Sequence, residues 1–170
     1  FDPDDVGIDL FSGATPIIRD LIIDEAGQDW TFPSYWRYGI GLSIGDGSAP
    51  FVDGVSMNDV VTRGLNFWGN SGGVYRNISI SGVSGATLAV AAGVWIEDSR
   101  PLIEFLEVNK SDHGVFIRHV DDGIRTRAVM RDVVIKNSMY KALVVDKEDH
   151  LNYTNYQSAI IEGLEISGTG

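Results

Sequence analysis

The sequence contains no cysteine, which excludes disulfide bonds and metal sites built on thiolates. No apolar run approaches the ~20 residues that a membrane helix needs, so a membrane span is not expected. Basic residues are few, with 13 Lys and Arg against 24 Asp and Glu, and the net charge is −11. Such a chain repels phosphate backbones, and nucleic acid is therefore not an expected partner.

The length and composition describe one folded domain. The chain has 170 residues, of which 44% are hydrophobic, and this is enough to build a core. Its 20 glycines indicate many turns. We therefore expect a single domain over residues 1–170.

Two short motifs alternate along the whole chain. The first reads Gly, aliphatic, any residue, aliphatic, and its copies start at Gly7, Gly39, Gly64, Gly93, Gly114 and Ala142, where alanine replaces glycine. The second reads apolar, charged, any, aliphatic, any, apolar, and its copies start at Ile18, Val52, Tyr75, Ile103, Met130 and Ile161. Each motif has a period of two and predicts a short strand with one buried face.

The fixed order of the two motifs favours a solenoid over a β-sandwich, which has no reason to repeat two different motifs alternately. The prediction is an all-β right-handed parallel β-helix of about six coils. The repeats resemble those of the pectin-lyase-like superfamily, in coil pattern only. That resemblance implies a group that includes polysaccharide lyases, glycoside hydrolases, uronate epimerases, phage tailspikes and non-catalytic surface proteins, so it does not choose a function.

Stacking of parallel coils predicts columns of equivalent residues about 4.8 Å apart. The charged position of the second motif alternates in sign at every step and predicts an ionic ladder that sets the register. Its members are Arg19, Asp53, Arg76, Glu104, Arg131 and Glu162. A site for acidic sugars is the functional alternative for these arginines.

The outward position of the first motif changes from small and polar to large and apolar. The predicted column is Asp9, Gly41, Asn66, Trp95, Phe116 and Val144. An outward Trp stacked on a Phe needs a reason. One interpretation is a platform on which sugar rings stack, and the other is an apolar patch covered by a loop or another chain.

Two long loops, Arg118 to Ala128 and Asp146 to Ser158, are expected to leave the same corner beside these aromatic rings. Aromatic, acidic, basic and histidine side chains would then meet at one place. The candidate ligand-binding residues are Trp95, Phe116, His119, Asp121, Asp122, Asp149 and His150. The candidates for catalysis are His119, Asp121, Asp122, Arg125 and His150.

The chemistry of this corner has several interpretations. Paired carboxylates can act as acid and base in glycoside hydrolysis, and Asp121-Asp122 resembles the adjacent aspartates of β-helix polygalacturonases. The other sequence elements of those enzymes do not occur here, and Asp-Asp-Gly is also an ordinary acidic turn. In a lyase or epimerase, His119 or His150 suits the role of base better than Arg125, which would need a strongly depressed pKa.

Metal binding has weak support in the sequence. Asp121, Asp122 and Asp149 offer oxygen ligands suited to Ca²⁺, but no calcium-loop motif surrounds them. The three histidines lack the spacing of a zinc site. We therefore predict no metal site and no cofactor.

Two functions fit these observations. The first is a non-catalytic extracellular or cell-surface module with a structural, adhesive or glycan-binding role. The second is a carbohydrate-active enzyme, either a polysaccharide lyase, a glycoside hydrolase or a uronate epimerase. The net charge of −11 opposes binding of a polyanion and favours the first. Asn-x-Ser/Thr triplets at Asn77, Asn109 and Asn152 are compatible with an extracellular location.

The last coil is expected to need a cover. A β-helix is an open stack whose end coils present apolar side chains and unpaired strand edges, so solenoids need caps. Only Ser167 to Gly170 follow the last strand pair. We expect further chain segments or other subunits over Leu143, Val145, Leu164 and Ile166, so that the 170 residues belong to a larger protein or an oligomer.

Overall fold

The computed structural model describes residues 6–26, 39–85, 91–120, 126–147 and 159–169. Within these ranges the chain forms strands and turns, and no helix has the length and hydrophobicity needed to cross a membrane. The twelve strands are β1 Val6–Leu10, β2 Ile17–Asp24, β3 Ile40–Ile44, β4 Phe51–Asn58, β5 Arg63–Phe67, β6 Val74–Val83, β7 Ala92–Glu97, β8 Leu102–Ser111, β9 His113–His119, β10 Val129–Lys136, β11 Lys141–Lys147 and β12 Ile160–Ser167.

The strands form two parallel six-stranded sheets, and the chain enters the sheets alternately. The first sheet has the order β1-β3-β5-β7-β9-β11, and the second has the order β2-β4-β6-β8-β10-β12. We call each successive pair of strands a level, so that level 1 is β1 with β2 and level 6 is β11 with β12. The prediction of an all-β chain with one strand of each motif per level is confirmed.

One hydrophobic core lies between the sheets, because the inward residues of both belong to a single cluster. In levels 2 to 5 fifteen predicted core residues are buried in this cluster, and they are Leu42, Val55, Met57, Leu65, Phe67, Ile78, Ile80, Val94, Ile96, Leu106, Val108, Val115, Ile117, Val133 and Ile135. Ile40, also predicted to point inward, is buried but lies outside the cluster, because it is opposite Arg63, and Ile44 takes its place in the core. In level 6 the exposed fractions are 54% for Val145, 39% for Leu164 and 45% for Ile166. These three continue the inward columns, but no described strand covers them on the far side.

The register of level 2 corrects one alignment made from the sequence. Leu42 pairs with Leu65 and Ser43 with Asn66, so the first motif starts at Gly41 and not at Gly39. A Cβ on Gly41 would lie 2.8 Å from Met57 Sδ and 2.9 Å from the Gly64 carbonyl oxygen, too close for any other residue without movement. The close approach of the two sheets therefore selects this glycine, and Ser43 replaces Gly41 in the outward column.

The predicted ladder is confirmed in register. Each of its six members is the register partner of the next member, on the adjacent strand of the second sheet. Arg76 Nε donates to Glu104 Oε2 at 2.7 Å, and Arg131 contacts Glu104 Oε1 at 3.4 Å, so this carboxylate bridges two levels. Arg131 Nε also donates to Glu162 Oε2 at 3.0 Å. Each such exposed contact contributes only about 0.2–1 kcal/mol, but together they oppose a shift in register.

In levels 1 to 3 the members of the ladder make different contacts. Asp53 Oδ1 accepts a hydrogen bond from Asn77 Nδ2 at 2.7 Å. The guanidinium groups of Arg19 and Arg76 lie 5.8 and 5.9 Å from the ring centroid of Phe51. Phe51 is two residues before Asp53 on the same outward face, and its ring attracts the two cations from both sides.

A column of left-handed residues follows the ladder. Asp20, Asn77, Phe105 and Asp132 have φ between 50° and 58°, and two glycines in the same column also have positive φ. A residue in this conformation bends a strand locally. Since every level bends at the same place, the strands keep their pairing on both sides of the bend.

Buried hydroxyl groups form another column, where the chain passes from the first sheet to the second. Its members are Ser48, Ser71, Ser99 and Thr126, all fully buried. Ser71 Oγ donates to Ser99 Oγ at 3.0 Å, and Ser99 Oγ donates to the Glu97 carbonyl oxygen at 2.7 Å. Ser48 Oγ accepts from the Ala14 N–H and Thr126 Oγ1 donates to the Arg118 carbonyl oxygen, so hydrogen bonds make all four polar groups compatible with the interior.

Substitution of a core residue tests the inward columns. Val115→Asp places a carboxylate at a fully buried position and should lower the free energy of unfolding by about 4 kcal/mol or more. The matched control is Val134→Asp in β10, a position that is not fully buried, where a much smaller loss is expected. Urea denaturation followed by circular dichroism measures both, and equal stability of Val115→Asp and the parent would contradict the core assignment.

The ladder also predicts a dependence of stability on pH. Hydrogen bonds from Arg76, followed by its charge and by Arg131, lower the pKa of Glu104 from its usual value of 4.5. The ionised group therefore stabilises the fold fully above pH 4.5, and this contribution is lost as pH falls through the lowered pKa. Thermal unfolding from pH 7 to pH 3 should show a shallower loss of Tm for Glu104→Gln than for the parent, and parallel curves would contradict the assignment.

Candidate functional site

The aromatic residues of the outward column stack directly on each other. Trp95 in β7 is opposite Phe116 in β9. Their ring centroids are 4.4 Å apart and their planes differ by 7°. Val94 and Ile96 point into the core on either side of Trp95, so alternation along the strand places this ring on the outer face, as predicted.

Both faces of the Trp95 indole are occupied. The Arg63 guanidinium carbon lies 4.1 Å from its ring centroid, from level 3, while Phe116 contacts it from level 5. Arg63 Nη1 also donates to Asn66 Oδ1 at 2.7 Å, which fixes the guanidinium over the ring. Trp95 is only 4% exposed and Phe116 only 9%. This arrangement leaves no ring face of Trp95 on which a sugar could stack.

Arg63 and Arg118 both interact with the carboxylate of Glu97 beside the indole. Burial lowers the pKa of Arg63 to about 10, with Glu97 acting to raise it and Arg118 to lower it further. Arg63 therefore keeps its charge at neutral pH, where its contact with the indole is a cation–π interaction. Glu97 accepts a hydrogen bond from Trp95 Nε1 at 3.3 Å, and Arg118 Nη1 lies 4.0 Å from the same carboxylate oxygen.

Beside Phe116, the outer face is more exposed to solvent. The His113 ring lies 5.9 Å from that of Phe116, and the Tyr140 ring lies 5.6 Å from that of His113. Tyr140 is 61% exposed, in contrast to Trp95. Sequence reasoning did not select Arg63 or His113 for this site. Both occupy the position just before the glycine of the first motif, and this shared place is the signal that could have identified them.

His119 points into the interior at the end of β9. It is 3% exposed, and its Nδ1 lies 2.9 Å from Asp98 Oδ1. Among the described residues, neither ring nitrogen of His119 has a hydrogen-bond partner. Asp98 Oδ1 instead accepts from the Val120 N–H at 3.0 Å. A solvent-borne ligand therefore has no direct access to this imidazole in the structure.

The remaining predicted site residues lie outside the described residues. They are Asp121, Asp122, Arg125, Asp149 and His150. The strands that precede them, β9 and β11, are neighbours, and His119 is opposite Lys147. The two loops thus begin side by side, as expected, while the convergence of their side chains stays a prediction. In the described ranges no group of three His, Asp or Glu residues is placed to hold a metal ion.

Removal of the indole tests the importance of the stack. Trp95→Ala should lower the free energy of unfolding by about 3–5 kcal/mol, because it opens a cavity and leaves the half-buried Arg63 without its ring partner. Trp95→Phe keeps a ring and should lose much less. Trp68→Ala, at a 36% exposed indole, is the control and should have a smaller effect than Trp95→Ala. Urea denaturation measures all three, and equal losses at the two tryptophans would contradict a structural role for the stack.

The whole chain shows no significant similarity to known proteins: no family model, no curated protein and no solved structure matches it. A proposal for its function therefore rests on its own residues and their geometry.

Proposed function

We propose that the chain is a right-handed parallel β-helix of six coils, of the pectin-lyase-like kind, that serves as a non-catalytic extracellular or cell-surface module. Its role is structural or adhesive, with glycan as the candidate ligand. The observation that carries this proposal is the use of the outward aromatic and charged side chains in contacts between levels. Both faces of Trp95 and both oxygens of Glu104 are used in this way.

The topology supports the β-helix. Successive strands alternate between two parallel sheets, and each new level pairs with the previous one in both sheets. The inward side chains of both sheets share one core. A chain that winds repeatedly around a common core accounts for all three features with a single rule of connection.

Glycan binding is supported by the accessible ring of Tyr140. Sugar rings bind proteins through apolar contact with aromatic faces, and Tyr140 combines 61% exposure with a supporting contact from His113. It follows Met139, which is 63% exposed. The net charge of −11 favours neutral glycans over acidic polysaccharides at this surface.

A carbohydrate-active enzyme is the second candidate, and one observation favours it. The Asp98 carboxylate lies 2.9 Å from His119 Nδ1, and a carboxylate beside a histidine is a common arrangement in acid–base catalysis. Both residues of the pair are buried, and His119 ends β9, two residues before Asp121 in the sequence. Catalysis on a polysaccharide would require access to His119, which is 3% exposed.

A glycan array combined with depolymerisation assays distinguishes the two functions. We expect binding to one or more neutral glycans, reduced at least tenfold by Tyr140→Ala and retained by Tyr140→Phe, because the ring face supplies the contact. We expect no release of reducing ends or unsaturated uronides from pectin, alginate or xylan. Depolymerisation that disappears in His119→Gln would instead establish the enzyme.

A further inference from the structure

We propose that the last level is a docking surface for a second copy of this chain, stacked head to tail. In this arrangement β2 of one copy pairs with β12 of the other, and β1 pairs with β11. Arg19 of one copy then lies opposite Glu162 of the other. The proposal deepens the structural role proposed above and rests on the same stack of levels.

The first observation is the exposure of inward columns at the last level. Leu164 and Ile166 are 39% and 45% exposed, whereas Val133 and Ile135, their partners in level 5, are buried. The strands β11 and β12 are also the outer strands of their sheets, with unpaired backbone groups on the far side among the described residues. Exposed apolar columns beside free strand edges are a template for further parallel strands.

The second observation is the incomplete charge pairing at the two ends of the ladder. In the middle, Glu104 contacts Arg76 through one carboxylate oxygen and Arg131 through the other. Glu162 contacts only Arg131, through Oε2, among the described residues. At the opposite end, Arg19 contacts the Phe51 ring and has no carboxylate within 4.0 Å in the described part of the chain. An unpaired cation at one end thus matches a half-paired anion at the other.

The third observation is the match of the backbone. Gly163 in β12 has φ of 64° and Asp20 in β2 has φ of 50°, at equivalent positions of the left-handed column. Every pair of neighbouring strands in the second sheet brings two residues of the left-handed column together at this position. A strand without the bend would lose pairing on one side of it. The second strand of level 1 has the required bend, so β2 can pair with β12 on both sides of it.

The fourth observation is the apolar content of level 1. When Arg19 lies opposite Glu162, Ile18 lies opposite Ile161 and Leu21 opposite Leu164. Ile18 and Leu21 are only half-buried within their own chain, so both sides of the proposed interface gain burial. A head-to-tail contact of this kind does not close on itself and therefore produces open linear assemblies.

Charge reversal with sedimentation analysis tests the contact. The parent chain should show a weight-average mass that rises with concentration, and Glu162→Arg or Arg19→Glu should each weaken association about fivefold by placing like charges opposite each other. Glu165→Arg is the matched control, because its register partner is the uncharged Ile22. Circular dichroism checks that each variant is folded. A parent that stays monomeric at all concentrations, or charge reversals no weaker than the control, would overturn the proposal.

Cysteine crosslinking tests the register independently of charge and of any glycan. The chain has no cysteine, and in the proposed register Asp24 lies opposite Ser167. The double variant D24C/S167C should form a ladder of disulfide-linked multimers under mild oxidation, because strand spacing suits a disulfide. D9C/S167C places the two thiols on different sheets and should give at least tenfold less multimer. Equal crosslinking in both variants, or none in the first, would overturn the register, whatever the glycan array shows.

Discussion

Parallel pairing in constant register is the constraint on which the rest of the structure depends. It places each residue one strand spacing from its equivalents above and below, so that every position of the motif becomes a column with its own chemistry. A column of one charge would repel itself, and the alternation from Arg76 to Glu104 to Arg131 avoids this. A column of buried hydroxyls can satisfy itself, as Ser71 and Ser99 do. The two sheets approach each other where the column consists of glycine.

Much of this could be predicted from the sequence, because the second motif carries a charged residue at a fixed place. That residue marks the register without ambiguity, and the ladder was correct in all six levels. The first motif lacks such a marker. In Gly39-Ile40-Gly41-Leu42 either glycine fits the pattern, and a shift of two residues keeps the same face buried. Only the contact of Gly41 with Met57 and Gly64, which the pattern does not contain, decides between them.

The candidate site was less predictable, for physical reasons that differ between residues. The burial of Trp95 depends on Arg63, which comes from the preceding level and reaches across by a long side chain. The position of Arg63 just before the motif glycine is visible in the sequence, but the contact of its guanidinium with the indole of the next level is not. The inward direction of His119, by contrast, was available from the sequence, since it follows Val115 and Ile117 at a period of two. His119 was predicted as a site residue from its acid–base chemistry, without regard to this inward position.

The separation in sequence between paired residues has a mechanical consequence. The ladder hydrogen bonds join residues 27, 28 and 31 positions apart, and among the twelve described strands no hairpin links neighbours of one sheet. A pull on the C-terminal end would therefore load one strand pair at a time and peel it from the level beneath. Each release would free roughly 10 nm of slack chain, since about 30 residues extend to some 3.3–3.6 Å each. Under tension such a molecule would unfold one level at a time and lengthen, while the remaining levels stay stacked.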